Sequence, residues 1–229
     1  MHGKDILLVC TLVVSILSVQ GQNKYDRFSV KTGFSNSTQG KYISPFSHIR
    51  PYDKSIQSIF INFQYSLPFR NKEINIGLQF IEKGFRVKYD FYETQLISRE
   101  LEYQYRFNYI ELPINFVYKF KRFKLMTGTI ISYLYEDNYR FKTTSIYKGN
   151  PRIIFQINDA QVYSDQLDRF NRWDFGANVG IAYNLISYLD AELTIQRHFV
   201  QIDKWKQLEL VYNMSFLFGL RYRLFESCP

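Results

Sequence analysis

The sequence predicts an all-β fold, an eight-stranded antiparallel up-and-down transmembrane β-barrel. Three observations predict it. Eight stretches alternate apolar and polar residues with a period of two, which gives each strand two unlike faces. The connections between them alternate short and long, as in a barrel closed by turns at one end and crowned by loops at the other. The chain carries 19 Tyr, 21 Phe and 2 Trp in 229 residues, 18% aromatic, with 22% charged. That composition excludes intrinsic disorder. A helical multi-span protein would need several apolar runs of about 20 residues, and the sequence has none.

The first segment is no strand. Lys4 precedes an apolar run from Ile6 to Val19, and Val19-Gln20-Gly21 ends it. This is the pattern of a secretory signal peptide, with cleavage expected after Gly21. Residues 1–21 are then a signal peptide and 22–229 the barrel domain. Val9 stands before Cys10 where a lipidation signal has a small residue, so lipidation is rejected. Cys228 is left as the single cysteine of the mature chain. No internal disulfide and no cysteine-based metal site follow. His48 and His198 are too isolated for metal-ligand spacing, and no cofactor is expected.

The strands follow in order. Phe28, Val30, Thr32 and Phe34 alternate with Arg27, Ser29, Lys31 and Gly33. Ile59 to Leu67 and Ile74 to Phe80 carry the next two stripes. Ile110, Leu112, Ile114, Phe116 and Tyr118 form the fourth, opposite Glu111, Pro113 and Asn115. Leu125 to Tyr135 is the fifth and Trp173 to Tyr183 the sixth, opposite Asp174, Gly176 and Asn178. Leu189 to Ile195 oppose Asp190 and Glu192, and Leu208 to Leu224 is the longest stripe. Tight turns follow the second, fourth and sixth strands. Long loops are expected at about 35–54, 85–102, 136–172 and 200–207. Pro113 removes a ladder donor, so a local bulge is expected, and the change of apolar phase between Tyr109 and Ile110 supports it.

The apolar face is read as lipid-facing. Aliphatic residues run along it and aromatic rings sit near strand ends, where amphipathic rings favour a membrane interface. Arg197 lies on this face at the upper end of the seventh strand, where it can reach lipid phosphates. The polar face carries Lys83, Glu111, Asn115, Asp174, Glu192, Arg221 and Arg223, expected as a paired network filling the lumen. The shear of a barrel can level Lys83 with Glu111, and Glu192 is expected to touch Arg221. An ion-selective or proton-linked passage is the alternative use of these charges. A soluble lipocalin-like barrel would have to hold the Phe and Tyr stripes inside, and eight strands leave no room for them.

Two regions suggest partners. The segment 136–172 holds six basic and five acidic residues, and Arg152–Ile157 within it is expected to extend a strand above the membrane. Long loops in compact domains tend to be functional or disordered. At the other end Arg70, Lys72, Lys119, Lys121, Arg122, Lys124, Arg221 and Arg223 form a basic set facing anionic headgroups or a periplasmic partner. The net charge is +8, but no nucleic-acid-binding motif accompanies it, so no nucleic acid is expected.

Several motifs resemble those of PorT-type outer-membrane barrels of Bacteroidota. They are Leu78-Gln79-Phe80-Ile81-Glu82-Lys83-Gly84, Asn108-Tyr109-Ile110-Glu111-Leu112-Pro113, Gly128 with Ser132-Tyr133-Leu134, Asp174-Phe175-Gly176, and Gly219-Leu220-Arg221-Tyr222-Arg223-Leu224. They fall in matching order over about residues 25–225. The resemblance implies a barrel of the bacterial outer membrane and a link to type IX secretion. The last motif also resembles the signal read by the barrel-assembly machinery, carried by Gly219, Tyr222 and Leu224. Leu217, where a polar residue is usual, and the tail after the final strand depart from that pattern. Eight-stranded barrels that deacylate lipid A resemble a His-x-Ser arrangement. Here Phe199 and Val200 follow His198, which is expected to be a rim histidine. The expected protein is therefore a monomeric, non-enzymatic structural or accessory barrel that meets the lipid bilayer and lipopolysaccharide. Its loops or basic turns bind a partner. A small pore or transporter is the alternative.

Overall fold

A computed structural model describes residues 28–39, 52–92, 97–147, 159–164, 169–202 and 212–224. The expected signal peptide, the cleavage point at Gly21, the stretch Arg152–Ile157, and Leu208 with Leu210 lie outside the described residues.

Among the described residues there are nine strands: β1 (Phe28–Gln39), β2 (Tyr52–Phe69), β3 (Lys72–Tyr92), β4 (Ile97–Phe120), β5 (Phe123–Tyr147), β6 (Asp159–Ser164), β7 (Trp173–Ile186), β8 (Leu189–His198) and β9 (Asn213–Arg223). Eight of them close a ring in the order β1-β2-β3-β4-β5-β7-β8-β9, with β9 pairing back on β1. Every pairing is antiparallel. Following the register once around the ring from Arg223 comes back to β9 near Asn213. That is a shear of about ten residues, which tilts eight strands by roughly 40°.

Two-residue turns join β2 to β3, β4 to β5 and β7 to β8. The first residue of two of them takes a left-handed backbone, Arg70 at φ 54° and Lys121 at φ 52°. Primed hairpin turns require such a residue because their twist matches that of the flanking strands. The other connections leave the opposite end of the barrel.

The wall alternates as the sequence pattern requires. Ile59, Phe63, Leu125, Val179, Leu193 and Leu220 point outward and are exposed. Phe69, Phe120, Phe123, Tyr188 and Tyr222 ring the turn end, and Trp173, Phe175 and Phe199 stand near the loop end. An apolar belt between aromatic girdles suits a bilayer.

Strand length corrects three of the expected loops. β8 has 10 residues and β9 has 11, about the length that crosses a bilayer. β3, β4 and β5 have 21, 24 and 25. The segment expected as a loop at 85–102 is therefore largely paired strand, from Phe85↔Tyr105 to Tyr92↔Ser98, and the first part of 136–172 is strand too, from Asn108↔Glu136 to Ile97↔Tyr147. Likewise β1 reaches Gln39 and β2 begins at Tyr52, which shortens the first loop. Alternation continues through these extensions, but its phase is inverted. Phe85, Val87, Tyr105 and Phe107 turn inward and are buried. Arg86 pairs with Glu102 at 3.0 Å and Arg106 with Glu82 at 2.7 Å on the outer face. The outward apolar stripe stops, which reads as the end of a strand in sequence. β6 pairs with β5 from Asn138↔Ser164 to Thr143↔Asp159, along the edge that β7 leaves above Trp173.

The expected local bulge lies at the change of apolar phase, not at Pro113 itself. The β4–β5 register slips between Asn108↔Glu136 and Tyr109↔Leu134, which makes Tyr135 the extra residue. Around Pro113 the register is unbroken. The β3–β4 ladder only skips from Ile76↔Ile114 to Gln79↔Glu111, because proline has no N–H to give. A second slip lies between Ser55 and Phe60 on β2.

Candidate functional site: a lumen filled at three levels

Inward residues of eight strands meet in a narrow lumen, and the tilt of the strands decides which share a level. Near the turn end, Arg221 is the centre. Its Nη2 donates to Asp190 Oδ2 at 2.7 Å, and its Nε lies 2.8 Å from Glu192 Oε1. Its Nη1 donates to Gln64 at 3.3 Å and lies 3.8 Å from Glu73. Lys31 joins Glu192 at 3.0 Å, Lys124 joins Asp190 at 2.6 Å, and Lys119 joins Glu73 at 2.6 Å. Half-buried Arg223 adds a contact to Asp190 at 3.2 Å and donates to Ser187 O. Lys119 and Arg223 stay partly exposed, but Arg221, Lys31, Lys124, Asp190, Glu192 and Glu73 lie where no bulk water solvates them. Isolated, each would be very costly, so pairing is the condition of their presence.

A second layer lies above. Lys83 and Glu111 are fully buried and 2.6 Å apart. Lys83 Nζ also contacts Gln196 Oε1 at 3.1 Å and His198 Nε2 at 2.6 Å. An ammonium only donates, so Nε2 accepts and the ring proton sits on Nδ1. Nδ1 lies 3.0 Å from Asp174 Oδ2, and Asp174 Oδ1 accepts from the Val200 N–H. Gln79 and Ser132 donate to the two oxygens of Glu111 at 2.8 and 2.9 Å. The three donors of Lys83 thus meet three acceptors, the full capacity of an ammonium.

The third level is apolar. Phe60, Ile81, Phe85, Val87, Tyr105, Phe107, Tyr109, Leu134 and Leu217 form one buried cluster. Phe170 and Ile202, from segments flanking β7 and following β8, complete it. Phe170 sets its ring edge-on to Phe107 at 5.0 Å. Asn171 N–H donates to Ile202 O at 2.8 Å, which ties the two segments together over the lumen. Tyr109 links this level to the one below: its hydroxyl accepts from Asn213 at 3.1 Å, and Lys83 lies 5.8 Å from its ring centre.

The seven polar-face residues singled out in the sequence all face this lumen, but not as one network. Lys83, Glu111 and Asp174 lie in the second layer, and Glu192, Arg221 and Arg223 in the first. Asn115 is buried, yet its Oδ1 has no hydrogen-bond partner. It presses on Gly128, where an added Cβ would come within 2.4 Å of that oxygen. His198 is no rim residue. It is 1% exposed and central to the second layer. It shares parity on β8 with Asp190, Glu192 and Gln196, and counting in twos from Glu192 would have placed it inside. The same count finds Gln79 from Lys83 and Lys31 from Ser29. The basic set also divides. Lys119, Lys124, Arg221 and Arg223 turn onto acidic partners, while Arg70, Lys72, Lys121 and Arg122 stay exposed at the turns. Gly219 faces inward, where a Cβ would lie 2.9 Å from the Phe60 ring. Tyr222 and Leu224 point outward and are exposed.

Among the described residues no cluster of His, Cys, Asp or Glu could hold a metal ion. The chain is similar in fold to the attachment invasion locus protein Ail of Yersinia pestis, with 11% identity, 86% of this chain and 97% of that one covered, and a TM-score of 0.39. It is also similar to neisserial surface protein A, with 8% identity, 86% and 97% covered, and a TM-score of 0.46. OprG from Pseudomonas aeruginosa gives 13%, 86% and 95%, and 0.40. No curated protein matches the sequence. The family model described as outer membrane protein beta-barrel domain matches residues 20–221. With a closed ring of eight strands and an apolar belt on its wall, the chain belongs to the outer membrane protein beta-barrel domain family and resides in the outer membrane.

Proposed function

We propose that the protein is a non-conducting, non-enzymatic accessory barrel that carries a partner-binding sheet above the outer membrane. The carrying observation is the lumen itself, closed by two charge layers and an aromatic layer in series. A pore needs a continuous wet path, and the buried Arg221–Asp190 and Lys83–Glu111 pairs and the Phe107–Phe170 contact lie across it in turn. The chemistry of the protein then lies on its surface. The extended β3–β4–β5–β6 sheet supports this reading, since it carries a charged outer face well above the strand length a bilayer needs.

The finer parts of the reading follow from the sequence. Residues 1–21 act as a signal peptide cut after Gly21. Gly219, Tyr222 and Leu224 present the assembly signal. The motifs around Lys83 and Glu111 favour a PorT-type barrel of Bacteroidota linked to type IX secretion. The barrel acts as a monomer among lipopolysaccharide and phospholipid. Planar-bilayer recording of the purified full-length barrel tests the central claim. Silence at both polarities is expected. Steady single-channel openings would overturn it in favour of a pore.

A further inference from the structure

The outer wall bears a groove of about 340 Å³ where β8, β9, β1 and β2 lie side by side. Its sides are Leu193, Phe218, Phe216, Phe34, Asn36 and Gln57. The order along the membrane normal is informative. Leu193 and Phe218 are lowest, and Phe34 and Phe216 follow. Asn36 and Gln57, partners in the β1–β2 register, stand at the top. Phe34 and Phe218 are 68% and 55% exposed. The groove is thus apolar below and amide-lined above. Arg197 points outward from the upper end of β8 beside it. It pairs with Met214, which pairs with Thr38, two residues above Asn36. Across two strand spacings it stands about 10 Å from the groove's upper end. Among the described residues the side chains of Asn36, Gln57 and Arg197 have no protein partner. Amides and a cation on a lipid-facing wall are costly unless polar groups from the membrane meet them.

We infer that this groove binds one acyl chain of a phosphorylated, multiply acylated glycolipid of the outer leaflet. This rests on the proposed lipopolysaccharide environment. The chain lies on the Phe34, Phe216 and Phe218 rings. The Asn36 and Gln57 amides bond to the ester or amide linkage at its head. Arg197 meets a phosphate, a charge-assisted contact. A plain phospholipid shares the ester and the phosphate but lacks the amide-linked acyl chain of an acylated amino sugar, whose N–H and C=O together match the donor and acceptor of a side-chain amide.

Native mass spectrometry of the full-length barrel in detergent tests this, with purified lipid A, its dephosphorylated form and phosphatidylglycerol as probes. Lipid A is expected to bind about tenfold more tightly than phosphatidylglycerol. Asn36→Leu with Gln57→Leu, and separately Arg197→Leu, should each reduce that binding about tenfold. The Arg197→Leu effect should vanish with the dephosphorylated lipid. The substitutions lie on the lipid-facing wall, and gel mobility before and after boiling reports that each variant is folded. Tight lipid A binding unchanged by all three substitutions removes the groove and keeps the lipopolysaccharide partner. Equal binding of phosphatidylglycerol and lipid A removes both.

Discussion

Near the turns, and again at the height of Tyr109, the same ring of strands encloses the lumen but fills it differently. The lower section is filled by Arg221, Lys31, Lys124, Asp190 and Glu192. The upper one is filled by Phe85, Phe107, Tyr109, Leu134 and Phe170. The strands do not change; the medium outside them does. Where lipid covers the wall, apolar side chains are favoured outward and the polar ones are left to satisfy one another inside. Where β3, β4 and β5 rise beyond the bilayer, water covers the wall. Arg86, Arg106 and Glu102 then face outward and the aromatic rings move in, as in a water-soluble sheet. The Lys83–Glu111–His198 layer lies at the changeover. The comparison teaches that one β-strand can obey both rules in succession, and that the inversion marks the membrane boundary.

The largest effect expected from this contrast is at Arg221. Arg221→Met strips the shared cation from Asp190, Glu192 and Glu73 and should cost about 5 kcal/mol, the upper range for orphaning buried charge. Phe107→Ala in the upper section should cost about 3–4 kcal/mol, a cavity with no orphaned charge. Urea unfolding of each variant in lipid vesicles measures both. Equal losses, or a larger one at Phe107, would break the distinction between the two fillings.

A double-mutant cycle sharpens it. Lys83→Met and Glu111→Leu should each destabilise the barrel by about 3 kcal/mol, and the double variant should recover most of that loss. Phe85→Ala with Phe107→Ala should show no such recovery, because two cavities do not cancel. Unfolding midpoints of the six variants and the parent protein in one lipid decide this. A double variant at Lys83 and Glu111 that loses the sum of the singles would show that packing, not charge balance, holds that layer.

The smallest effect lies outside the lumen. Lys121 holds a positive φ that costs an L-residue about 1 kcal/mol. Lys121→Gly should raise stability by up to that amount without altering the lumen. A lowered unfolding midpoint would mean that the Lys121 side chain, 5.8 Å from the Phe120 ring centre, contributes more than the backbone loses.

Much of the fold was legible in residues alone. Phe28 to Phe34 and Trp173 to Ile181 show their outward face by simple alternation, and the turns at 70–71 and 121–122 separate stripes cleanly. The upper halves of β3 and β4 were not legible as strand. Their apolar residues switch to the other face, and a stripe followed on one face ends at Ile110. The bulge was legible in part. The change of apolar phase between Tyr109 and Ile110 marked its height, but a bulge is a mismatch between two strands, so β4 alone did not show Tyr135 as the extra residue. Pro113 marks a missing donor rather than an extra residue. Of the lumen, the inward set could be counted by parity, His198 and Asp190 included.

By itself the sequence determined the number of barrel strands, their alternating faces and the end at which the long connections lie. These follow from local pattern, where side-chain period and turn residues act over a few positions. Only the tertiary structure decided that Lys83 meets both Glu111 and His198, that Arg221 serves three carboxylates, and that Phe170 and Ile202 close the top. Those contacts join residues up to 148 positions apart in the chain, the separation of Arg221 from Glu73. Their levels are set by the shear of the closed ring, which no single strand encodes.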